Sequence, residues 1–497
     1  MSGKNKSGKK NHKFLKRFFI GLFCFLTVGA GVFFGVQFFT KTGIFRIPGV
    51  VYYDESLKQS EIDFFSTIFT EEVDLDKDVT ISARNELTLP ALNDNEFLYS
   101  ISVAVADFYN VDAENVTAET ADELLASGST IIDVGDLDFK KRLLTINGKY
   151  YLDNFNEGAI FRILSFDSKK YDEEIKPLIE EPLAKTFPSN DTVLTFAQTG
   201  VTALSRGMNK KLYSVGDAKY FAANIAAYLS SFNLTHTSNE SSFSDWASSS
   251  NICSDKRFID TLTAIGLDIV ELTGNHNRDC GDQAAIETVE TYLNNGMKIV
   301  GGGRTADEAA VPLEITNKGS NITMLAFNQS TGGATYDATP GANQYYEEVA
   351  AQQIQAAKAK GDFVIVDIQY YECNAYASTY EDATCDRANS SAGDQIGFFR
   401  HLIELGADVV VGTSAHQPQT YELYGDGVIY YGLGNIFFDQ VWWPGTTRSL
   451  ILAHYFYKGK LLQTKVVPTV YDNNMQPAIM DKETTKWFLN RLLSVRP

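Results

Sequence analysis

Between residues 406 and 439, two strand-like runs bracket a short polar loop, and that arrangement restricts the fold more than any other stretch of the chain. Asp408-Val409-Val410-Val411 reads as an apolar strand that ends in Gly412-Thr413-Ser414-Ala415-His416, a loop with one histidine. A second strand then brings Tyr430-Tyr431-Gly432-Leu433-Gly434-Asn435 to the same edge. Open α/β sheets build their sites in this way, at the carboxyl ends of strands. A third element agrees: Leu267-Asp268-Ile269-Val270-Glu271-Leu272-Thr273 reads as a buried strand running into Gly274-Asn275-His276-Asn277-Arg278-Asp279-Cys280-Gly281.

The rest of the C-terminal half alternates in the same sense. Strands are expected at 192–197, 268–273, 298–300, 321–327, 363–368 and 408–411, and helices at 217–230, 255–265, 282–295, 344–359 and 395–405. Strands separated by helices of about 10 to 15 residues argue for crossover units and buried sheet. The runs 448–456 and 461–470 around Lys458-Gly459-Lys460 read instead as a hairpin, and one amphipathic helix is expected near 482–493. Upstream, 56–190 reads as a smaller α/β segment, with helices at 61–70 and 118–126, strands at 130–134 and 143–146, and a turn at Asn147-Gly148. It has no His and no Cys, and its acids are dispersed as on a solvated face, so a spacer or docking role fits it.

Taken in order, these strings resemble the CapA, or poly-γ-glutamate biosynthesis, family of capsule-synthesis proteins, whose domain belongs to the calcineurin-like metallophosphoesterase superfamily. The resemblance covers roughly residues 192–470. The family's Asn-His loop with a following Asp and Gly matches Asn275, His276, Asp279 and Gly281. Its Asn-Leu-Glu-Ser-like segment matches Ser238-Asn239-Glu240-Ser241, and its Ser-Leu-Gly-Asn-Phe segment matches Gly432-Leu433-Gly434-Asn435-Ile436. The resemblance implies a four-layer α/β/β/α metallophosphoesterase-like sandwich over 191–471, with a tail at 472–497 and a linker and small α/β domain at 41–190. It also implies work alongside surface-polymer synthesis proteins, in the synthesis, export or attachment of an anionic polymer or its precursor.

Departures from the family pattern fall on its metal ligands. After its first strand the family has Gly-Asp, whereas Thr199-Gly200-Val201 puts Val201 in place of a metal-bridging carboxylate. A family His-Trp-Gly becomes Gln369-Tyr370-Tyr371, and a His-rich loop is reduced to His416. Two-metal phosphoesterase chemistry holds its ions about 3.5–4 Å apart, so that one activates water while both steady the phosphoryl oxygens. The donors on offer are Glu240, Asn275, His276, Gln369 and His416, with Asp279 or Asp439 to orient an imidazole. Three readings follow. One divalent cation, Mn or Mg, is held by Glu240, His276 and His416; or Glu240 and one of these histidines form a metal-free acid and base pair; or the pocket binds without reacting, through Asn239, Asn275, Gln369, Ser414 and Asn435. A non-catalytic scaffold of a surface-polymer complex and a full metal-dependent phosphoesterase are the alternative functions.

Each residue also has a plainer account. His276 and His416 are two of only six histidines and both sit at strand ends beside Asn or Gly, which favours function over loop hydrogen bonding. Ser238-Asn239-Glu240 is also compatible with a helix cap, and Gly434-Asn435 with a tight turn. Phe437, Phe438, Trp442 and Trp443 suit a core or a pocket rim, and His12, His236, His401 and His454 are read as exposed-loop residues without a role.

The N-terminus bounds the compartment. From Phe18 to Thr40 the chain is apolar, with Gln37 its only strongly polar side chain, long enough to cross roughly 30 Å of hydrocarbon. Seven basic residues and no acid precede it, a cytoplasmic tail at 1–17 by the positive-inside tendency. The run exceeds the apolar region of about 7–15 residues usual in a signal peptide, and no Ala-x-Ala site follows, so an anchor is preferred to a cleaved leader. A single-pass protein with its C-terminal domain extracytoplasmic is expected. Net charge is −19, and with +7 in the first 40 residues the remainder carries −26. Such a surface is a poor nucleic-acid binder. It suits an anionic polymer only through a local basic patch or metal ions.

Of five cysteines, Cys253, Cys280, Cys373 and Cys385 lie beyond the apolar run, and an oxidising compartment permits two disulfides. Cys373 with Cys385 flanks a short polar segment and leaves Cys253 with Cys280; buried free thiols are the other reading. Protease added to intact spheroplasts should therefore digest the C-terminal domain. A C-terminal reporter active only in the cytoplasm would defeat the topology and the disulfides together.

Overall fold

A computed structural model of the chain describes residues 49–497 except 71, 72, 74, 76, 77, 331, 336, 371–393, 443, 472 and 473. The apolar run 18–40, the Cys373–Cys385 pair and Trp443 lie outside the described residues. Among those described, no helix is long and apolar enough to cross a membrane.

The chain divides into two compact units, one of residues up to Glu86 with Pro90–Tyr99 and Phe161–Lys185, the other of Leu87–Leu89, Ser100–Ile160 and Thr186–Pro497. In the first, the helix Gln59–Ile68 sets Phe65 edge-on to Phe166, ring centroids 5.6 Å apart. Its Glu61 is buried and receives two hydrogen bonds from the Arg162 guanidinium, so neither charge is left alone in the interior.

The second unit is a mixed α/β fold around two sheets. One runs, edge to edge, Lys298–Val300, Ile269–Glu271, Leu234–Asn239, Val193–Thr202, Arg448–Tyr457, Lys460–Tyr471 and Pro477–Ile479, with Asn435–Phe437 paired to the far end of Val193–Thr202. Its first four strands are parallel; Arg448–Tyr457 is antiparallel to Val193–Thr202, and Lys460–Tyr471 turns back antiparallel to Arg448–Tyr457. The other runs Leu313–Asn317, Ser320–Asn328, Phe363–Gln369, Val409–Gly412, Gly427–Tyr430 and Tyr421–Tyr424, parallel through its four central strands. A core containing Phe196, Ile269, Leu452, Met324, Ile365 and Val411 fills the space between the sheets, where Phe363 and Phe456 meet at 5.0 Å. The outer face of the first sheet packs against Leu212, Phe221, Leu262 and Val289 from helical segments. That of the second packs against Ile354 of the helix Glu347–Lys360 and Phe399 of Gln395–Glu404. The order is helix, sheet, sheet, helix.

Continuous apolar strands such as Val409-Val410-Val411 are buried on both faces, as parallel strands under helices must be. Helix Glu347–Lys360 starts with two acids and stops at Gly361, whose φ of 83° is a conformation glycine adopts without strain. Two other glycines permit close backbone approach. A Cβ on Gly200 would lie 2.1 Å from the Gly434 carbonyl oxygen, and one on Gly412 would lie 2.0 Å from that of Tyr431.

Several expectations change. The segment Leu234–Asn239 is a central strand in which His236 is fully buried rather than in an exposed loop, although it reads Leu-Thr-His-Thr-Ser-Asn. Its threonines are bonded: Thr235 Oγ1 donates to the Leu229 carbonyl at 2.8 Å, and Thr237 Oγ1 meets the hydroxyls of Thr199 at 3.0 Å and Thr202 at 2.7 Å. The expected helix 217–230 is instead a 3₁₀ turn, Ala218–Ala222, and a single turn, Ala226–Leu229, because the chain must fold its Phe221 and Leu229 down onto the sheet within a short span. Upstream, the long strands Val79–Thr88, Glu96–Asp107 and Glu157–Asp167 lie outside the expected elements, although Val79-Thr80-Ile81-Ser82-Ala83-Arg84 alternates as a half-buried strand does.

Candidate functional site

All the strand ends singled out in the sequence fall on one edge of the second unit. The strand Val193–Thr202 delivers Val201 where the family pattern has its carboxylate, and Val201 packs in a small apolar cluster with Ala203 and Phe438. Its N–H donates to the Gly434 carbonyl at 2.9 Å. Beside it, Leu234–Asn239 ends in Glu240, which is fully buried and whose N–H donates to the Thr202 carbonyl at 2.9 Å. Asn239 turns back to donate to the Ser241 carbonyl at 2.8 Å. The next loop can lie against Glu240 only because residue 274 is glycine: a Cβ there would be 2.6 Å from Glu240 Cα and 2.9 Å from its Cγ.

That loop is tied down along its length. Asn275 Oδ1 accepts a hydrogen bond from Gln369 Nε2 at 3.1 Å, joining a loop of the first sheet to a strand end of the second. Asn277 donates to the Leu272 carbonyl at 2.7 Å, and its own carbonyl accepts from the Ser242 hydroxyl at 2.5 Å. The disulfide Cys253–Cys280 closes the far end, as the pairing by remainder expected. His276 Nδ1 lies 2.7 Å from Asp279 Oδ2. Since a carboxylate only accepts, Nδ1 carries the proton and the ring's lone pair is on Nε2.

His416 is built differently. It is nearly buried, its ring 5.2 Å from that of Phe438, and its Nδ1 lies 2.9 Å from Asn435 Oδ1. Because the Asn435 amide nitrogen donates to the Thr446 carbonyl at 3.1 Å, its oxygen faces the imidazole, and the basic atom of His416 is again Nε2. Around this edge lie buried polar atoms with no hydrogen-bond partner among the described residues: Gln369 Oε1, Thr413 Oγ1 and Ser414 Oγ. A buried acceptor or hydroxyl left unpaired is costly, so such atoms mark a place for water or a ligand.

Asp439 does not orient an imidazole. Its carboxylate accepts from Arg206 Nε at 3.1 Å, Arg206 Nη2 at 2.5 Å and the Gly207 N–H at 2.9 Å, which anchors the helix Gly207–Val215. Arg206, unremarked in the sequence, thereby sits 4.6 Å over the Phe438 ring. The dinuclear centre does not fit these residues. The bridging position is apolar, Asp439 is engaged by Arg206, and among the described residues no three His, Cys, Asp or Glu side chains gather as a cation's ligands would.

Beneath the edge runs a polar row that sequence reading gave no role. His236 Nε2 is 3.1 Å from Asp367 Oδ2, and Gln198 Nε2 donates to Asp367 Oδ1 at 2.6 Å. Gln198 Oε1 is 3.3 Å from His454 Nε2, whose other nitrogen meets Thr464 Oγ1 at 2.8 Å. Asp367 lies two residues before Gln369 and on the same side of its strand. Glu271, buried nearby, accepts from the backbone and hydroxyl of Thr273 at the start of the site loop. Burial, then the charge of Asp367, pushes its carboxyl above the ordinary range. Burial, then the charge of His236, pushes His454 down to about 3.

Comparison with known proteins follows this geometry. Residues 195–440 match the family model described as bacterial capsule synthesis protein PGA_cap. The chain is 26% identical over 234 residues to the PGA biosynthesis protein CapA of Bacillus subtilis, covering 46% of this chain and 58% of that one. It is 23% identical over 218 residues to the capsule biosynthesis protein CapA of Bacillus anthracis, covering 43% and 50%. A probable polyglutamine synthesis accessory protein of Mycobacterium tuberculosis is 25% identical over 47% of this chain and 63% of its own length. The chain thus spans between half and two thirds of these relatives. Among solved structures, the NAD nucleotidase of Haemophilus influenzae aligns at 11% identity and a TM-score of 0.30, covering 61% of this chain and 56% of that one. At that score the likeness adds nothing to the architecture read from the two sheets.

The polar row sets a pH dependence. The folded state refuses a proton on His454 until about pH 3, whereas the unfolded chain accepts one near 6.5. Stability from this group is complete above 6.5 and is lost as pH falls, by roughly 1.4 kcal/mol per pH unit. Urea unfolding at several pH values between 6.5 and 4 should show His454→Gln losing about that much of the acid-side slope. Parallel pH profiles for the two proteins would contradict it.

Proposed function

Because residues 195–440 belong to the bacterial capsule synthesis protein PGA_cap family, we propose that this chain acts in the synthesis, export or attachment of an anionic surface polymer of the poly-γ-glutamate or capsule kind. The relatives' names, PGA biosynthesis and capsule biosynthesis, support the polymer class. The proposed setting is the outer face of the cell membrane, with residues 18–40 as anchor and the strand-end site outside, beside other polymer-synthesis proteins. The observation that supports a working site is the set of unpaired buried atoms, Gln369 Oε1, Thr413 Oγ1 and Ser414 Oγ, on the edge that also holds Glu240 and His416. Glu240 would serve as the acid or base, His416 Nε2 and His276 Nε2 as its basic partners, and Asn275, Gln369, Ser414 and Asn435 as the groups that hold the substrate. Because no three His, Cys, Asp or Glu side chains gather among the described residues, a metal-free Glu240–histidine pair is favoured over a single Mn or Mg ion on Glu240, His276 and His416.

A second reading has its own observation. Val201, packed with Ala203 and Phe438, removes the carboxylate that two-metal hydrolysis needs, which favours a subunit that binds polymer without cleaving or joining it and weakens the phosphoesterase alternative. Chromosomal Glu240→Gln and His416→Ala variants separate the two. If the site is chemical, surface polymer should fall by about a hundredfold or more, the smaller end of what one acid or base contributes, while protein level and the Cys253–Cys280 bond persist. Unchanged polymer in both variants leaves only the binding role, and unchanged polymer on deleting the gene removes both.

A further inference from the structure

The second unit holds a cavity of about 470 Å³ whose lining, apart from Tyr421, lies outside the family-matched segment. Its walls include the strand Lys141–Leu143, part of the strand Lys460–Tyr471 and the start of the helix Lys482–Leu493. Among the described residues that line it, the cations are Arg142, Lys465 and Lys482, and the carboxylate is Glu114. In a chain whose residues beyond 40 carry −26, so basic a lining is a local reversal of sign.

The three cations are not equivalent. Lys482 Nζ is 2.8 Å from Glu114 Oε2, and Lys465 Nζ is 3.3 Å from Asp153 Oδ2 and 4.7 Å over the Tyr150 ring. The half-buried Arg142 guanidinium has no ion pair or hydrogen bond with any described residue. Its charge reaches the phenol of Tyr421, which burial pushes up to about 12 and Arg142 holds back. Gln463 is not available to it, because that amide accepts from the Leu143 N–H at 2.5 Å and donates to the Lys141 carbonyl at 3.0 Å. Those two bonds fix the strand on either side of Arg142 instead.

A guanidinium partly out of water, rigidly mounted and without an acid of its own, is shaped for the two oxygens of a carboxylate. We propose that this cavity is a carboxylate-binding subsite, in which Arg142 grips one carboxylate of an anionic polymer in a two-pronged bond and Lys465 and Lys482 meet its neighbours. The volume lies within the roughly 300–1,000 Å³ of small-ligand sites, enough for one or two glutamyl units rather than a long run. The proposal rests on the surface-polymer reading and says where an acidic chain holds an acidic ligand, away from the strand-end site.

Calorimetric titration of the purified full chain at low ionic strength tests it, with γ-linked hexaglutamate, the same peptide with every carboxylate amidated, and inorganic phosphate. Hexaglutamate should bind and the amidated peptide should not. Arg142→Gln should weaken binding roughly 10- to 100-fold, the range for a charge-assisted pair, with the unfolding midpoint unchanged. Arg142→Lys keeps the charge and loses the planar fork, so it should bind at an intermediate level, and it decides the matter if Arg142→Gln does not fold. Wild-type affinity in the variant that folds, or equal binding of the amidated peptide, overturns the subsite, and phosphate binding as tightly as hexaglutamate overturns the carboxylate assignment. The two proposals fail separately. Loss of surface polymer in Glu240→Gln with no hexaglutamate bound by wild type leaves the polymer role and removes the cavity; tight, Arg142-dependent binding with polymer unaffected by gene deletion does the reverse.

Discussion

A carboxylate buried between two sheets, Asp367, sets the geometry on which the site depends. An ionised acid in an apolar interlayer costs several kcal/mol unless it is paired and hydrogen-bonded. Asp367 reaches across the interface to the opposite sheet, where Gln198 Nε2 donates to its Oδ1 and His236 Nε2 lies 3.1 Å from its Oδ2. The pairing holds the strand Phe363–Gln369 at one level against Val193–Thr202 and Leu234–Asn239. Two residues further on, Gln369 then meets Asn275. A slip of one residue would turn Asp367 away from its partners and Gln369 away from the edge.

What gathers at that edge is a site of amides, hydroxyls, two histidines and one buried acid. Each imidazole has its Nδ1 fixed by an oxygen, from Asp279 for His276 and from Asn435 for His416, so both present the same nitrogen as base. The acid that a dinuclear centre would add is replaced by Val201, and Asp439 holds Arg206 and a helix start. The family's scaffold is kept while its metal-binding chemistry is thinned. The unpaired atoms of Gln369, Thr413 and Ser414 are where a substrate's donors and acceptors would find partners.

The apolar strands were legible because burial on both faces demands continuous runs such as Val409-Val410-Val411, and the loops after them followed. The strand Leu234–Asn239 was not, because its Thr237 hydroxyl and His236 imidazole meet groups 35 to 38 residues away or on the other sheet, which no local pattern records. For the same reason Glu240 could be taken for a metal or proton donor or for a helix cap but not for the end of a strand, and His236 and His454 looked idle. Asp439 was misassigned because its partner, Arg206, is 233 residues distant. Arg142 gave no signal at all, since an unpaired cation is visible only once its surroundings are known.

The central claim is that Val201 leaves this chain without a dinuclear centre. Elemental analysis of the purified full chain, after exposure to excess Mn and Mg and removal of loosely bound ions, measures this directly. The account predicts no more than one divalent ion per chain, with occupancy reduced in His416→Ala if one is held. Two ions per chain in stoichiometric amount would contradict it.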